Sequence, residues 1–322
     1  QHLLKNKKLF MFLRKIRISI TKLILPSLHL ILKLLKANTR TVNFLNDKKI
    51  NANNYYNFQS NIEKLLKNKK LIGLDVGAQG GFNSDKFFPA RYNKYFESIL
   101  VDPLKNSLEG KESTHTINKG LWSSKGVRKL YILNKRPQSS SMYEPDKKSL
   151  SIYGFEEKDF HLFDVSKTET VECDTLSSSL KALNINTLDY LKIDTQGAEL
   201  EILKGLENYR PLLIKCEVQI FPMYKKEPSW TEVTDLLYKL GYIVSDWKKI
   251  GSHATRTPVE MDMVFIPNFL IDSGKKLILE KEKKFISLML ISGQIKLLKK
   301  ISKILDLGHS ESYMKTKDRY FN

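Results

Sequence analysis

Four carboxylates stand where an apolar run ends or is interrupted, the places at which a sheet protein exposes chemistry. They are Asp75 in LIGLDVGAQGG, Asp102 in SILVD, Asp194 in LDYLKID and Glu217 in PLLIKCEVQI. Asp75 is followed at once by Gly77, Gly80 and Gly81. Glycines after a strand bring the backbone within contact distance of a ligand, because no Cβ intervenes. GAQGG is not the G-x-G-x-x-G of dinucleotide binders, and no phosphate-loop lysine follows it. Asp102 ends the next apolar run 27 residues after Asp75. An acid there can take both hydroxyls of a ribose. Acid, glycine loop and second acid suit a cationic nucleoside without phosphates, such as S-adenosylmethionine. The cofactor-binding candidates from this pattern are Asp75, Gly77, Ala78, Gly81 and Asp102.

The catalytic candidates are Asp194, Glu217 and His253. Asp194 precedes a glycine turn and reads as a base or anchor, or as the cap of the following helix. Glu217 interrupts an apolar run. It reads as a buried base with a raised pKa, or as a salt-bridge partner of Lys192 or Lys215. His253 lies in the polar loop GSHATRTP, where it reads as a base, an acceptor contact or a solvated side chain; Arg256 nearby suits an anionic acceptor. Glu199 and Glu201 open a helix, where carboxylates suit the dipole. The loop 134–146 (NKRPQSSSMYEPD) reads as a lid or an acceptor-recognition loop. His2, His29, His115, His161 and His309 form no ligand cluster, and no transition metal is expected.

Short apolar runs alternating with helical stretches must position these groups. Strands are predicted at 71–76, 98–102, 114–122, 127–133, 168–175, 188–194, 211–220, 242–247 and 261–267. Helices are predicted at 58–70, 83–95, 175–184, 198–208 and 229–242. This alternation implies an α/β fold, a mostly parallel seven-stranded sheet with helices on both faces. Helical extensions flank it. Residues 1–57 form a basic amphipathic extension and linker, 58–267 the central domain, and 268–322 a basic helical appendage.

At this level the chain resembles the FkbM-type methyltransferases, a family of the Rossmann-like S-adenosylmethionine-dependent class. DVGAQGG is similar to the family's D-V-G-A-N-x-G, with Gln79 in the Asn place. Asp102–Pro103 matches its second-strand acid and proline. NKGLWSSKGVRKLYI resembles a third region and adds Asn118 as a cofactor-binding candidate. DYLKIDTQGAELEILKGL is similar to L-K-I-D-V-E-G-x-E-x-x-V-L-x-G, with Gln196 where many members carry glutamate. The resemblance spans roughly residues 58–267 and implies S-adenosylmethionine as cofactor. It further implies O-methylation of a sugar hydroxyl on a glycan or glycolipid, or of a secondary metabolite.

The formal net charge is +19 over 322 residues, and ten basic residues with no acid lie between Gln1 and Arg40. Acidic partners are one reading of that charge, and an AT-rich coding bias is the other. A nucleic-acid methyltransferase is the alternative it motivates. No N/D-P-P-Y-like motif follows the fourth strand and no aromatic-basic platform is evident, so no specific nucleic acid is expected as partner. A binding protein that keeps the cofactor fold without turnover is a third reading, kept alive by Gln196. The expected partner is a small-molecule or glycan acceptor. No uncharged apolar run of membrane-spanning length exists. A cytoplasmic protein is expected, whose basic N-terminal helices either pack on the body of the protein or make peripheral contact with the anionic inner face of the membrane. Cys173 and Cys216 lie in strand-like runs without ligand spacing and read as buried thiols.

Overall fold

Hydrophobic periodicity in 71–267 is realised as a seven-stranded sheet in the order β3–β2–β1–β7–β8–β10–β9. The computed structural model describes residues 58–104, 106–250 and 258–308. The basic stretch 1–57, with its expected membrane contact, and His253 and Arg256 therefore lie outside the described residues. The strands are β1 (Leu71–Val76), β2 (Phe96–Val101), β3 (His115–Ile117), β4 (Gly120–Leu121), β5 (Gly126–Ile132), β6 (Lys167–Asp174), β7 (Tyr190–Ile193), β8 (Leu213–Gln219), β9 (Tyr242–Ile250) and β10 (Glu260–Pro267). The helices are α1 (Gln59–Leu66), α2 (Leu176–Ala182), α3 (Glu199–Lys204), α4 (Trp230–Lys239), α5 (Asp272–Glu280), α6 (Glu282–Ile291) and α7 (Ile295–Leu305).

The sheet is mixed rather than wholly parallel. Strands β3, β2, β1, β7 and β8 pair in parallel, while β10 is antiparallel to both β8 and β9. Only nine residues separate β9 from β10, too few for the crossover that a parallel neighbour requires. The runs at 127–133 and 168–175 do form strands, but outside this sheet. They pair antiparallel with each other, and with β4 make a second, three-stranded sheet.

The helix expected over 83–95 is absent. Turns fill its first part and a single 3-10 segment, Ala90–Tyr95, its second. Asn83 and Lys86 both take φ of +56°, a left-handed conformation that no α-helix continues. The Asn83 side chain donates to Phe88 O at 2.8 Å and accepts from Phe88 N at 3.3 Å, local bonds that compete with helix formation. Pro89 follows. The segment is held instead by its rings: Phe88 stacks on Phe96 at 5.3 Å and meets Tyr190 edge-on at 5.8 Å.

Alternation along the strands divides the sheet chemically. Leu74, Val76, Leu191, Ile193, Ile214 and Cys216 face a core shared with α2, α3 and α4. Asp75, Lys192 and Lys215 are in register on three adjacent strands. They lie on the other face, with Tyr190. Thr175 caps α2, and Ser229 with Glu232 closes a capping box on α4. Beyond β10, helix α5 packs against that strand and α6 against α1. Lys284 of α6 reaches the fully buried Asp189 at 2.6 Å. The apolar residues of α6 are buried. No helix among the described residues is long and apolar enough to cross a membrane. Both cysteines are free and buried.

Candidate active site

A cavity of about 350 Å³ opens where the chain leaves the carboxyl ends of β1, β2 and β7. This is the point at which the strand order turns back on itself, with β2 and β3 to one side of β1 and β7 and β8 to the other. Gly77, Gly80, Asp102 and Asp194 line it, as does Lys192.

Gly77 makes the turn from β1 into the loop with φ of +80°. Its N–H and that of Ala78 both donate to Val101 O, at 3.0 and 3.1 Å, which ties the loop to the end of β2. A Cβ on Gly77 would fall 1.9 Å from the carbonyl oxygen of Asp194. Only glycine lets the β1 loop and the end of β7 close the floor of the cavity. Asp102 is held by its Oδ1, which accepts from Leu104 N at 2.9 Å and Ser107 Oγ at 2.8 Å. Burial pushes its carboxyl above the usual value, against the pull of those donors. Among the described residues Oδ2 has no protein partner.

Asp75 does not reach the cavity. It is fully buried, accepts from Lys192 Nζ at 2.9 Å through Oδ1 and from Asn83 N at 3.2 Å through Oδ2. The cation it attracts is thus a protein ammonium, which also stands 3.6 Å from Asp194. Burial opposes the charge on Lys192, but Asp75, Asp194 and Asp85 outweigh it and hold the group protonated. Lys215 is paired with Asp262 and, at 2.7 Å, with Asp85. Neither lysine bridges to Glu217, contrary to the salt-bridge alternative for that residue.

Glu217 does not line the cavity; it accepts at 3.1 Å from Nε2 of Gln196, which does. The same nitrogen donates to Asp194 Oδ1 at 3.2 Å. Burial, reinforced by Asp194, Glu260 and Asp262, pushes Glu217 up to about 9. Burial likewise lifts Glu199 and Glu260 to about 7 and Glu227 to about 8. Glu199 accepts from Thr195 N at 2.9 Å, a structural tie at the head of α3. Between the usual glutamate value of 4.5 and about 9, the folded protein holds a proton on Glu217 that the unfolded chain releases. Stability must therefore fall as pH rises through that window. Glu217→Gln should flatten the decline. Calorimetric Tm from about pH 5 to about pH 9 should show the variant ~3 °C or more above wild type at the alkaline end.

The remaining sequence candidates fall at the edge. Ala78 is buried with its N–H engaged. Gly81 closes the loop by donating to Ala78 O at 2.8 Å. Asn118 is exposed and off the cavity, whereas its neighbours Lys119 and Gly120 line it. The loop 134–146 does border the cavity, through Pro137, Gln138, Ser140, Ser141 and Met142. Sequence reasoning missed Lys192 as part of the site; a lysine inside the apolar run YLKI, one strand from Asp75, was the available signal.

An α/β protein with a glycine-turned cavity at the switch point of its sheet is a ligand-binding protein by construction. Residues 75–244 match the methyltransferase FkbM domain, and the chain belongs to that family of methyltransferases. No curated protein matches the chain.

Proposed function

We propose that the protein is a Rossmann-like, S-adenosylmethionine-dependent O-methyltransferase. The acceptor is a sugar hydroxyl on a glycan or glycolipid, or a hydroxyl of a secondary metabolite. The observation that carries the cofactor is Asp102: a buried carboxylate at the end of β2, fixed through one oxygen and without a partner at the other among the described residues, beside a glycine turn at 77 that a Cβ would block. That geometry fits a ribose diol. The segment after the loop forms no α-helix, so no helix N-terminus is offered to a phosphate. Leu121, Leu130, Met142 and Ile202 give the cavity apolar wall for a base.

S-adenosylmethionine supplies a methyl group made electrophilic by a sulfonium. The chain's own task is to align an acceptor hydroxyl and receive its proton. Asp194, on the cavity wall, is the carboxylate placed for that role. Glu217 keeps its proton to about 9 and acts as a donor at neutral pH.

Calorimetric titration with S-adenosylmethionine tests the reading. Asp102→Ala removes two charge-assisted hydrogen bonds and should weaken binding by ~10- to 100-fold. Micromolar binding by wild type that survives unchanged in the variant would place the nucleoside elsewhere. Absence of binding by wild type would remove the cofactor assignment.

A further inference from the structure

We propose that Gln196 is a positioning residue: its side-chain amide frames the Asp194 and Glu217 carboxyl groups on the acceptor side of the cavity, and its backbone carbonyl ties down the Pro137–Met142 segment beside them. The word acceptor rests on the methyltransferase reading; the frame itself does not.

Four contacts define the frame. Nε2 gives one N–H to Asp194 Oδ1 at 3.2 Å and the other to Glu217 Oε1 at 3.1 Å. Oε1 lies 3.0 Å from the Tyr224 hydroxyl, which is also 2.9 Å from Ser139 O. The backbone carbonyl accepts from Ser141 Oγ at 2.6 Å. Gln196 thereby touches the end of β7, the end of β8, Tyr224 and the loop bordering the cavity. The backbone takes φ of +58°, a left-handed conformation that a non-glycine residue holds only where its surroundings over-determine it.

A primary amide is the side chain this position requires. Asp194 Oδ1 and Oε1 of the protonated Glu217 carboxyl both stand as acceptors, and a group with two N–H donors satisfies one oxygen of each. The amide cannot be turned round, since its oxygen would then face two acceptors. A glutamate has at most one O–H and, when ionised, adds a negative charge beside Asp194. The side of the cavity follows from the sheet order. Asp102 ends β2, and β7 is two strands away, roughly 10 Å at the usual strand spacing. With a nucleoside on Asp102, the β7–β8 side is left for the acceptor, and Gln196 stands there.

The charges around this frame come from every neighbouring element. Lys192 of β7 is engaged by Asp75 and Asp194, and Lys215 of β8 by Asp85 and Asp262. Glu260 and Asp262 of β10 face Glu217. Glu199 of α3, Glu227, Arg136 and Tyr153 complete the surroundings. An ionised carboxylate at 196 finds both lysines already paired and Arg136 lying over the Phe155 and Phe163 rings with its Nε on Ser139 Oγ, so a glutamate there holds a proton in the folded state and loses stability as pH rises.

The test compares the full chain with Gln196→Glu, Ser141→Ala and Tyr224→Phe. Tm is followed from about pH 5.5 to about pH 8.5, and amide hydrogen exchange is followed over 137–142. Gln196→Glu should match wild type at the acidic end and fall at least ~3 °C further behind by the alkaline end. A packing role alone would not move that pH dependence. Ser141→Ala, which removes the hydroxyl held by the Gln196 carbonyl, should speed exchange over 137–142 by ~10-fold. If that variant does not fold, Tyr224→Phe, which removes the hydroxyl between Gln196 and Ser139, should do the same. Gln196→Glu tracking wild type at every pH overturns the proposal, as does unchanged exchange in the folded variants. Titration of wild type with S-adenosylmethionine runs alongside. Failure to bind removes the methyltransferase reading and leaves the frame intact; binding with a flat pH response removes the frame alone.

Discussion

Gly77→Ala should cost ~3 kcal/mol or more of stability, or prevent folding, and should abolish cofactor binding. The collision is between backbone and backbone: the added Cβ would sit 1.9 Å from Asp194 O, and no side-chain rotation relieves it. Separating strands β1 and β7 at their carboxyl ends would relieve it, but that opens the floor of the cavity and breaks the bond from Asp194 N to Val76 O at 3.1 Å. A matched control isolates the collision from the strain of a positive φ. Gly110 has φ of +66° and nothing within 4 Å of its absent Cβ. Gly110→Ala should therefore cost only ~1 kcal/mol. Urea unfolding of both variants checks the contrast. Equal losses would show that backbone conformation, not contact with Asp194, makes glycine necessary at 77.

Lys192→Met should be the most damaging substitution of a polar side chain. Methionine approximates the volume of the stem, so what is lost is the charge. Asp75 is then fully buried, with the Asn83 N–H at 3.2 Å and no counter-charge. Breaking one side of such a pair costs ~3–5 kcal/mol. Lys192→Met combined with Asp75→Asn removes the orphaned charge and should recover ~1–2 kcal/mol of that loss. A double-mutant cycle in urea reads the coupling directly. Strict additivity of the two substitutions would mean that the pair is not an energetic unit, and that Asp75 serves the loop through Asn83 alone.

Lys192 also shows why the site was only half legible beforehand. Gly77, Asp102 and Asp194, which line the cavity, stood out in the chain because each follows a strand of strong β pattern, and strand ends are where a parallel sheet presents ligand contacts; Asp75, within β1, stood out too but turns to Lys192 instead. The partner of Asp75 could not be read. It lies 117 positions away, and only the pairing of β1 with β7 puts Asp75 opposite Lys192. Glu217 stood out in the chain as an acid that interrupts an apolar run. Its partner, Gln196, was noticed only as a departure from the family pattern, because a turn residue's reach across to the next strand is a property of the folded turn.

The elements followed the same division. Seven strands of the main sheet, the helices at 176–182, 199–204 and 230–239, and the glycine turn after β1 were all dictated locally, by hydrophobic period, caps and turn chemistry. The segment 83–95 carried a helical pattern and formed none, because Asn83 was captured by Asp75 and Phe88 and its rings were needed against Phe96 and Tyr190. Strands β5 and β6 were equally plain in the chain, but nothing local told which sheet they would join. Periodicity reports how a residue's neighbours in the chain are arranged. Strand order, the direction of β10, the burial of Lys192 and the bridge from Gln196 to Glu217 depend on neighbours in space, and only the tertiary structure decides those.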